Sequence, residues 1–189
     1  MKRKVIALTG GIGSGKSTVA RILREMGYKT VDCDVLAKEI ADEAAVVSAV
    51  ERLLGSDSVT NGAINRHKVR EMVFGDGKLL REYNAIFHGR IRQRLVELVE
   101  QSAETIFVEI ALIDAFEFHF DEIWLVDCPQ KTRIERVTSR DNVTAERAMI
   151  IMSRQRYDGD YTRVLTNDGT LDELKAQVTD ALLASGLAD

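Results

Sequence analysis

A glycine-rich segment near the start of the chain constrains it more than any other feature of the sequence. Residues 10–17 read Gly-Gly-Ile-Gly-Ser-Gly-Lys-Ser, which matches the phosphate-binding pattern G-x-x-x-x-G-K-[ST]. The apolar run 5–8 before it predicts a buried strand, and residues 18–23 after it predict a helix. A strand, a glycine loop and a helix N-terminus form the context in which this pattern binds phosphate. We therefore expect the chain to bind a nucleoside triphosphate.

The residue types of this loop suit a polyphosphate. Glycine lets backbone N–H groups turn inward because no Cβ is in the way. Such a nest of donors at the positive end of a helix dipole binds anions. In this pattern we expect Lys16 to reach the β- and γ-phosphates and the Ser17 hydroxyl to coordinate Mg²⁺.

The composition excludes several classes of protein. A chain of 189 residues with 45% hydrophobic and 30% charged residues is typical of one soluble domain. The net charge of −4 argues against a surface that binds nucleic acid. The sequence has no apolar stretch of membrane-spanning length and no signal-peptide pattern at its start. Its two cysteines have no metal-binding spacing. We expect a cytoplasmic monomer without a membrane or nucleic-acid partner.

The apolar pattern alternates strands with helices, which predicts a three-layer α/β fold of the P-loop type, a parallel sheet with helices on both faces. The predicted strands are 5–8, 29–32, 105–110, 123–127 and 164–166. The predicted helices are 18–23, 34–54, 65–74, 78–102 with an allowed break at Gly89, 130–140, 144–157 and 171–184.

One block departs from the alternation. The block at about 62–102 has predicted helices and no predicted strand, so we interpret it as an inserted acceptor-binding region. We expect the remainder, about 1–61 and 103–189, to form the core of the same single domain, with a lid at about 136–160.

The motifs that this chain lacks help to distinguish among the classes of protein that contain such a loop. A GTPase switch would add D-x-x-G and N-K-x-D, and neither occurs in this chain. A small-molecule kinase instead needs a base, cations and a closing lid. Asp32 and Asp34 lie at the carboxyl end of the second predicted strand, the edge where open α/β sheets bind ligands. The alternative role for Asp34 is to cap the following helix.

The cations come late in the chain. Three arginines recur at helical spacing and so share one helix face: Arg133, Arg136 and Arg140. Thr144 then begins a second basic helix, which carries Arg147, Arg154 and Arg156. Two basic helices joined by a short turn indicate a lid over phosphates, and the alternative is a solvated face paired with neighbouring acids. We favour a phosphate role for Arg140, and both interpretations stay open for Arg133 and Arg147.

Taken together, these segments resemble the dephospho-CoA kinase family over nearly the whole chain. Residues 7–17 match its phosphate loop with a leading Leu-Thr, residues 31–34 its Asp-Ala-Asp segment, and residues 86–88 its Leu-Leu-His. Further matches are Arg66 with Phe74, the lid residues Arg136, Arg140 and Thr144, then Gln155, Asn167 and Gly169. The chain departs from the family pattern at Gly89, Ala111, Ile150 and Arg163.

The resemblance implies an ATP-dependent kinase that phosphorylates the ribose 3′-hydroxyl of dephospho-CoA, giving coenzyme A and ADP, with ATP and Mg²⁺ as cofactors. It implies that Asp34 is the base and that Lys16 and Arg140 cover the phosphoryl oxygens. The implied ATP contacts are Gly11, Ile12, Gly13, Ser14, Gly15, Lys16, Ser17, Thr18, Arg140 and Asn167. The implied acceptor contacts are Thr9, Asp34, Arg66 and His88, with a core or solvated role as the alternative for His88.

Two rival hypotheses remain at this point. One is a kinase of another small acceptor, such as a nucleoside monophosphate or shikimate. The other is a non-catalytic module that binds nucleotide without transferring phosphate.

Overall fold

The computed structural model describes residues 3–111, 113, 117–153, 155, 157 and 159–188. The chain divides into two compact units. The first comprises Met1–Asp32, Ser102–Asp114 and His119–Asp189, and the second comprises Cys33–Gln101 and Ala115–Phe118. The second unit begins at Cys33, whereas the insertion expected from the sequence begins at about 62. The helices directly after the second strand therefore belong to this unit and not to the core.

The elements follow the alternation expected from the sequence. The strands are β1 (Val5–Thr9), β2 (Lys29–Asp32), β3 (Val59–Thr60), β4 (Ala63–Ile64), β5 (Ile106–Glu109), β6 (Glu122–Asp127) and β7 (Arg163–Thr166). The helices are α1 (Lys16–Glu25), α2 (Cys33–Ile40), α3 (Ala44–Leu54), α4 (Arg66–Val73), α5 (Gly77–Glu100), α6 (Gln130–Asp141), α7 (Ala145–Ser153) and α8 (Leu171–Ala184). Within the described ranges, none of these helices is long and apolar enough to cross a membrane.

A parallel sheet forms the core of the first unit. Among the described residues its strand order is β2-β5-β1-β6-β7, and every neighbouring pair is parallel. The α/β fold predicted from the sequence is thereby confirmed. All five residues of β1 are buried, as expected for a strand covered on both faces. Trp124 and Phe107 pack edge to face beside it, with ring centroids 5.2 Å apart.

The second unit corrects one predicted helix and extends another. The helix expected at 34–54 is two helices, because the chain is extended at Glu43, whose carboxylate binds the Arg90 guanidinium of α5. The break allowed for at Gly89 does not occur, since α5 runs through it. A glycine within a helix costs only about 1 kcal/mol relative to alanine, so one glycine does not end a helix of this length.

Two further segments differ from expectation. The polar stretch 56–62, which the sequence pattern assigned to no helix or strand, holds a 3₁₀ turn and the first strand of the β3–β4 hairpin. The hairpin turns at Asn61 and Gly62, which both have positive φ, as a two-residue primed turn requires. Helix α7 ends at Ser153 rather than near 157. Arg154 and Arg156 lie outside the described residues.

A buried polar network fixes the amino end of β6. The Glu122 carboxylate accepts hydrogen bonds from Lys4 Nζ at 2.6 Å, Trp124 Nε1 at 2.9 Å and Ser185 Oγ at 2.6 Å. Burial alone would raise the pKa of Glu122, but these three donors outweigh it and the pKa is lowered. The network joins three distant parts of the chain: the start of β1, β6 and the end of α8.

This network predicts an acid-sensitive stability. Because the folded pKa of Glu122 is lowered, its stabilisation is present above the ordinary carboxyl pKa of about 4.5 and is lost as pH falls through the lowered value. Glu122→Gln should reduce the free energy of unfolding by about 2–4 kcal/mol at pH 7, since it leaves Lys4 without its charged partner. Urea unfolding should show this difference shrinking below pH 4. Glu135→Gln, at an exposed position of α6, should change stability by less than about 0.5 kcal/mol.

Candidate active site

The phosphate loop connects the end of β1 to the start of α1. Three of its glycines have left-handed φ values: Gly10 at +146°, Gly13 at +79° and Gly15 at +99°. The space around these glycines, as well as their backbone conformation, excludes a larger side chain. A Cβ on Gly10 would collide with the Val126 carbonyl oxygen of β6, and one on Gly15 would collide with the Asn167 side chain. The glycines are therefore required by the close approach of neighbouring elements.

Side-chain donors surround the carbonyl groups of this loop. Arg133 Nε donates to the Ile12 carbonyl at 3.0 Å, and Asn167 Nδ2 donates to the Ser14 carbonyl at 2.7 Å. Arg136 Nη1 lies 3.5 Å from both the Gly13 and Ser14 carbonyl oxygens. The buried Asn167 was expected to contact ATP. Its amide nitrogen binds the loop backbone, a contact for which the sequence contained no signal.

The two residues predicted to bind phosphate and metal begin α1. Lys16 Nζ donates to the Gly10 carbonyl at 2.8 Å, so the ammonium lies across the loop. Thr18, also an expected ATP contact, donates its N–H to Gly15 O within the first turn. The Ser17 hydroxyl donates to Glu109 Oε1 at 2.6 Å. Glu109 ends β5, the strand beside β1, and was not among the predicted site residues. An acidic residue at the carboxyl end of a predicted core strand was the signal that could have found it.

The oxygens of Ser17 and Glu109 suit Mg²⁺. This ion binds proteins through one or two oxygen ligands and completes its shell with water and phosphate oxygens. The described residues hold no group of three or more His, Cys, Asp or Glu side chains that could bind a metal. A hydroxyl and a carboxylate at the phosphate loop therefore fit an ion that arrives with its nucleotide.

The arginines of α6 and α7, the helices expected to form the lid, differ in what they contact. Arg133 and Arg136 contact the loop, whereas Arg140 donates from Nε and Nη2 to the two carboxylate oxygens of Asp141, at 2.7 and 2.8 Å. The hydrogen bonds with Arg140 hold the pKa of Asp141 below its usual value. Arg147 is exposed on α7. The two helices meet at Asn142, which has φ +51°.

The segment after α7 also contacts the loop. Gln155 Oε1 accepts a hydrogen bond from the Ile12 N–H at 2.9 Å. Nearby, burial raises the pKa of Tyr157 to about 12, so its hydroxyl stays protonated and donates to Ala111 O at 3.1 Å. The resemblance in sequence had singled out Gln155, but it gave no indication of this partner.

The residues expected to bind the acceptor lie in both units. In the first unit, Thr9 ends β1 and is buried, and its Oγ1 has no hydrogen-bond partner among the described residues. In the second unit, Asp34 is exposed in the first turn of α2. That helix begins one residue earlier, so Asp34 is not its N-cap.

Two other residues of the second unit were expected to bind the acceptor. Arg66 begins α4 and is exposed, and its charge acts on the half-buried Tyr83 of α5. Tyr83 packs against Phe87, with ring centroids 5.1 Å apart. Burial lowers the pKa of the adjacent His88, so this imidazole is neutral at pH 7. His88 is thus suited to hydrogen bonding rather than to charge neutralisation.

Comparison with known proteins gives a consistent result. The family model described as dephospho-CoA kinase matches residues 4–173. The chain is 38% identical to the dephospho-CoA kinase of Hydrogenovibrio crunogenus, over 80% of this chain and 81% of that protein. It is 34% identical to the dephospho-CoA kinase of Streptococcus agalactiae, over 95% and 97%. The crystal structure of TT1252 from Thermus thermophilus is similar with a TM-score of 0.84 and 32% identity, over 98% of each chain.

Lys16→Ala tests the loop as a phosphate site. The variant should lose nucleotide-dependent phosphoryl transfer by a factor on the order of 10²–10³ or more, since it removes a fixed charge from the phosphate oxygens. Its stability should change by only about 1 kcal/mol, the typical net contribution of a hydrogen bond such as the one from Lys16 to the Gly10 carbonyl. Arg21→Ala, which breaks an exposed ion pair with Glu25 on the same helix, is the matched control and should keep wild-type turnover. Near-normal turnover by Lys16→Ala would remove the loop from the mechanism.

Proposed function

The chain belongs to the dephospho-CoA kinase family, and from that premise we propose how its residues transfer the γ-phosphoryl group of ATP to the ribose 3′-hydroxyl of dephospho-CoA. The enzyme is a phosphotransferase of coenzyme A synthesis, and its products are coenzyme A and ADP. The observation that carries the proposal is the loop of residues 10–15, which has donors on its carbonyl groups, Lys16 across it and the N-terminus of α1 behind it.

ATP binds with its phosphates on the loop. The backbone N–H groups at the start of α1 and the ammonium of Lys16 form a preorganised cationic site, which needs little rearrangement when charge develops on the phosphoryl oxygens. Ser17 and Glu109 would hold Mg²⁺, and the bound ion would supply Lewis-acid neutralisation of the phosphates. The sequence expectation assigned only Ser17 to the metal. Glu109 is added because its carboxylate already accepts the Ser17 hydroxyl.

Asp34 accepts the proton of the acceptor hydroxyl. The exposure of its carboxylate in the first turn of α2, directly after β2, supports this proposal. A positioned general base accelerates such a transfer by about 10²–10⁴-fold. Asp32, at the end of β2, is the neighbouring carboxylate, and it would help to order Mg²⁺ or the acceptor.

Arg140 covers the transferring phosphoryl group when the lid closes. Its side chain is 63% exposed and its partner Asp141 is the adjacent residue, so the guanidinium can exchange this carboxylate for a phosphate. An exposed ion pair of this kind is worth at most about 1 kcal/mol, and the exchange is therefore inexpensive.

The acceptor is bound by Thr9, Arg66 and His88. The unpartnered hydroxyl of Thr9 at the carboxyl end of β1 offers a hydrogen bond that the described protein groups do not use. Arg66 supplies charge for a phosphate of dephospho-CoA, and the neutral His88 supplies a hydrogen bond. We also propose that the protein acts as a monomer in the cytoplasm, where its two buried cysteines stay reduced.

Acceptor-dependent release of ADP tests the function directly. With ATP and Mg²⁺, ADP should accumulate when dephospho-CoA is added and should stay near background with adenosine monophosphate, shikimate or no acceptor. A coupled spectrophotometric assay measures this. Equal release with shikimate would favour a kinase of another acceptor, and nucleotide binding without any acceptor-dependent release would indicate a non-catalytic module.

Asp34→Asn tests the base. The amide keeps the size of the side chain but cannot take a proton, so kcat should fall by roughly 10²–10⁴-fold while the affinity for ATP hardly changes. Asp32→Asn should have a smaller effect. Asp42→Asn, at an exposed position between α2 and α3, should leave kcat unchanged. Wild-type turnover by Asp34→Asn would contradict the assignment of the base.

A further inference from the structure

Arg133 lies against the phosphate loop more closely than any role assigned so far explains. Its Nε donates to the Ile12 carbonyl at 3.0 Å, and its side chain is half-buried. A Cβ added to Gly11 would collide with Nη2 and Cζ of the guanidinium, so the guanidinium rests on the Gly11 backbone. The main chain of α6 approaches too. A Cβ on Gly13 would lie 2.8 Å from the Arg133 carbonyl oxygen.

The hydrogen bond from Arg133 to the Ile12 carbonyl fixes the orientation of a whole peptide unit. A peptide unit is planar and trans, so its C=O and the N–H of the next residue point in opposite directions. A donor that holds the Ile12 carbonyl toward α6 therefore turns the Gly13 N–H away from α6. Asn167 acts in the same way on the Ser14 carbonyl and hence on the Gly15 N–H. The N–H of Ile12 itself is held by Gln155.

We propose that Arg133 is a positioning residue of the phosphate loop, which sets the peptide between Ile12 and Gly13 so that the Gly13 N–H is aimed at the nucleotide phosphates. The inference rests on the proposed ATP site and adds a residue to it. Arg133 acts through the backbone and not on the phosphate, so it contributes to nucleotide affinity rather than to the transition state.

A contrasting role for Arg133 is direct. Its guanidinium would then leave Ile12 and bind a phosphate oxygen when ATP arrives, as arginines of lid helices can. The two roles predict different effects of Gly11→Ala on nucleotide affinity. Displacing the guanidinium from Ile12 should weaken binding if Arg133 acts through the backbone, but not if it acts by its charge on the phosphate. Gly11 has a φ outside the left-handed region, so alanine fits its backbone, and the collision of the new Cβ is with the Arg133 guanidinium. Gly11→Ala therefore displaces Arg133 without removing its charge.

A double-mutant cycle with Arg133→Ala, Gly11→Ala and the double variant tests the proposal. The readouts are the Kd for the non-hydrolysable analogue adenylyl imidodiphosphate by calorimetry, kcat and KM for ATP with dephospho-CoA, and the Tm without nucleotide. Each single variant should weaken analogue binding and raise KM about tenfold, with kcat within about twofold of wild type. The double variant should be no weaker than Arg133→Ala alone, because both changes remove one contact. Lys131→Ala, an exposed cation on the same helix, is the matched control and should match wild type.

Three results would overturn the proposal. If the loss of affinity in the double variant equalled the product of the two single losses, the two residues would act separately. A fall in kcat with unchanged Kd would make Arg133 a direct ligand of the reacting phosphate. A lower Tm with unchanged Kd and KM would make its role structural only. Absence of turnover in the wild type would overturn the proposed function, yet analogue binding would still measure the effect of Arg133.

Discussion

The orientation of the peptide units in the phosphate loop is the constraint on which the rest of the first unit depends. Their carbonyls are held by donors from α6 and from Asn167, the residue after β7, and Gly10 is packed against the carbonyl of Val126 in β6. These three elements are adjacent because β6 and β7 follow β1 in the sheet and α6 connects them. The parallel register of the sheet is therefore what places the donors. A loop of glycines alone would have no preference among many backbone conformations.

The same arrangement explains how an acidic protein attracts a polyanion. The net charge is −4, but Lys16, Arg133 and Arg136 all lie on the loop. At the ionic strength of a cell, charges act over only about 8 Å, so a bound phosphate experiences these cations and not the acidic surface elsewhere. Anion affinity is thus a property of the loop rather than of the composition.

The sequence predicted those features that local pattern determines. Periodicity and the G-x-x-x-x-G-K-S pattern were sufficient for β1, the loop, α1 and the parallel sheet. The sequence could not predict what depends on contacts between distant residues. The helix expected at 34–54 is divided at Glu43, which pairs with Arg90 of a distant helix. The strand pattern could have indicated Glu109, but its hydrogen bond with Ser17 depends on β5 lying beside β1. Gly89 was wrongly allowed as a break because an isolated glycine carries the same local signal within a helix and at its end.

The arginines of α6 show most clearly that helical spacing in the sequence does not predict which group each side chain contacts. Positions 133, 136 and 140 share a helix face, so periodicity alone does not separate their roles. A helix rises 1.5 Å per residue, and Arg140 therefore begins roughly 10 Å further along α6 than Arg133. That distance separates a side chain that reaches the loop backbone from one at the turn into α7, paired with Asp141. The helix face determines which side chains point toward the loop, and the distance along the axis determines which of them reach its backbone.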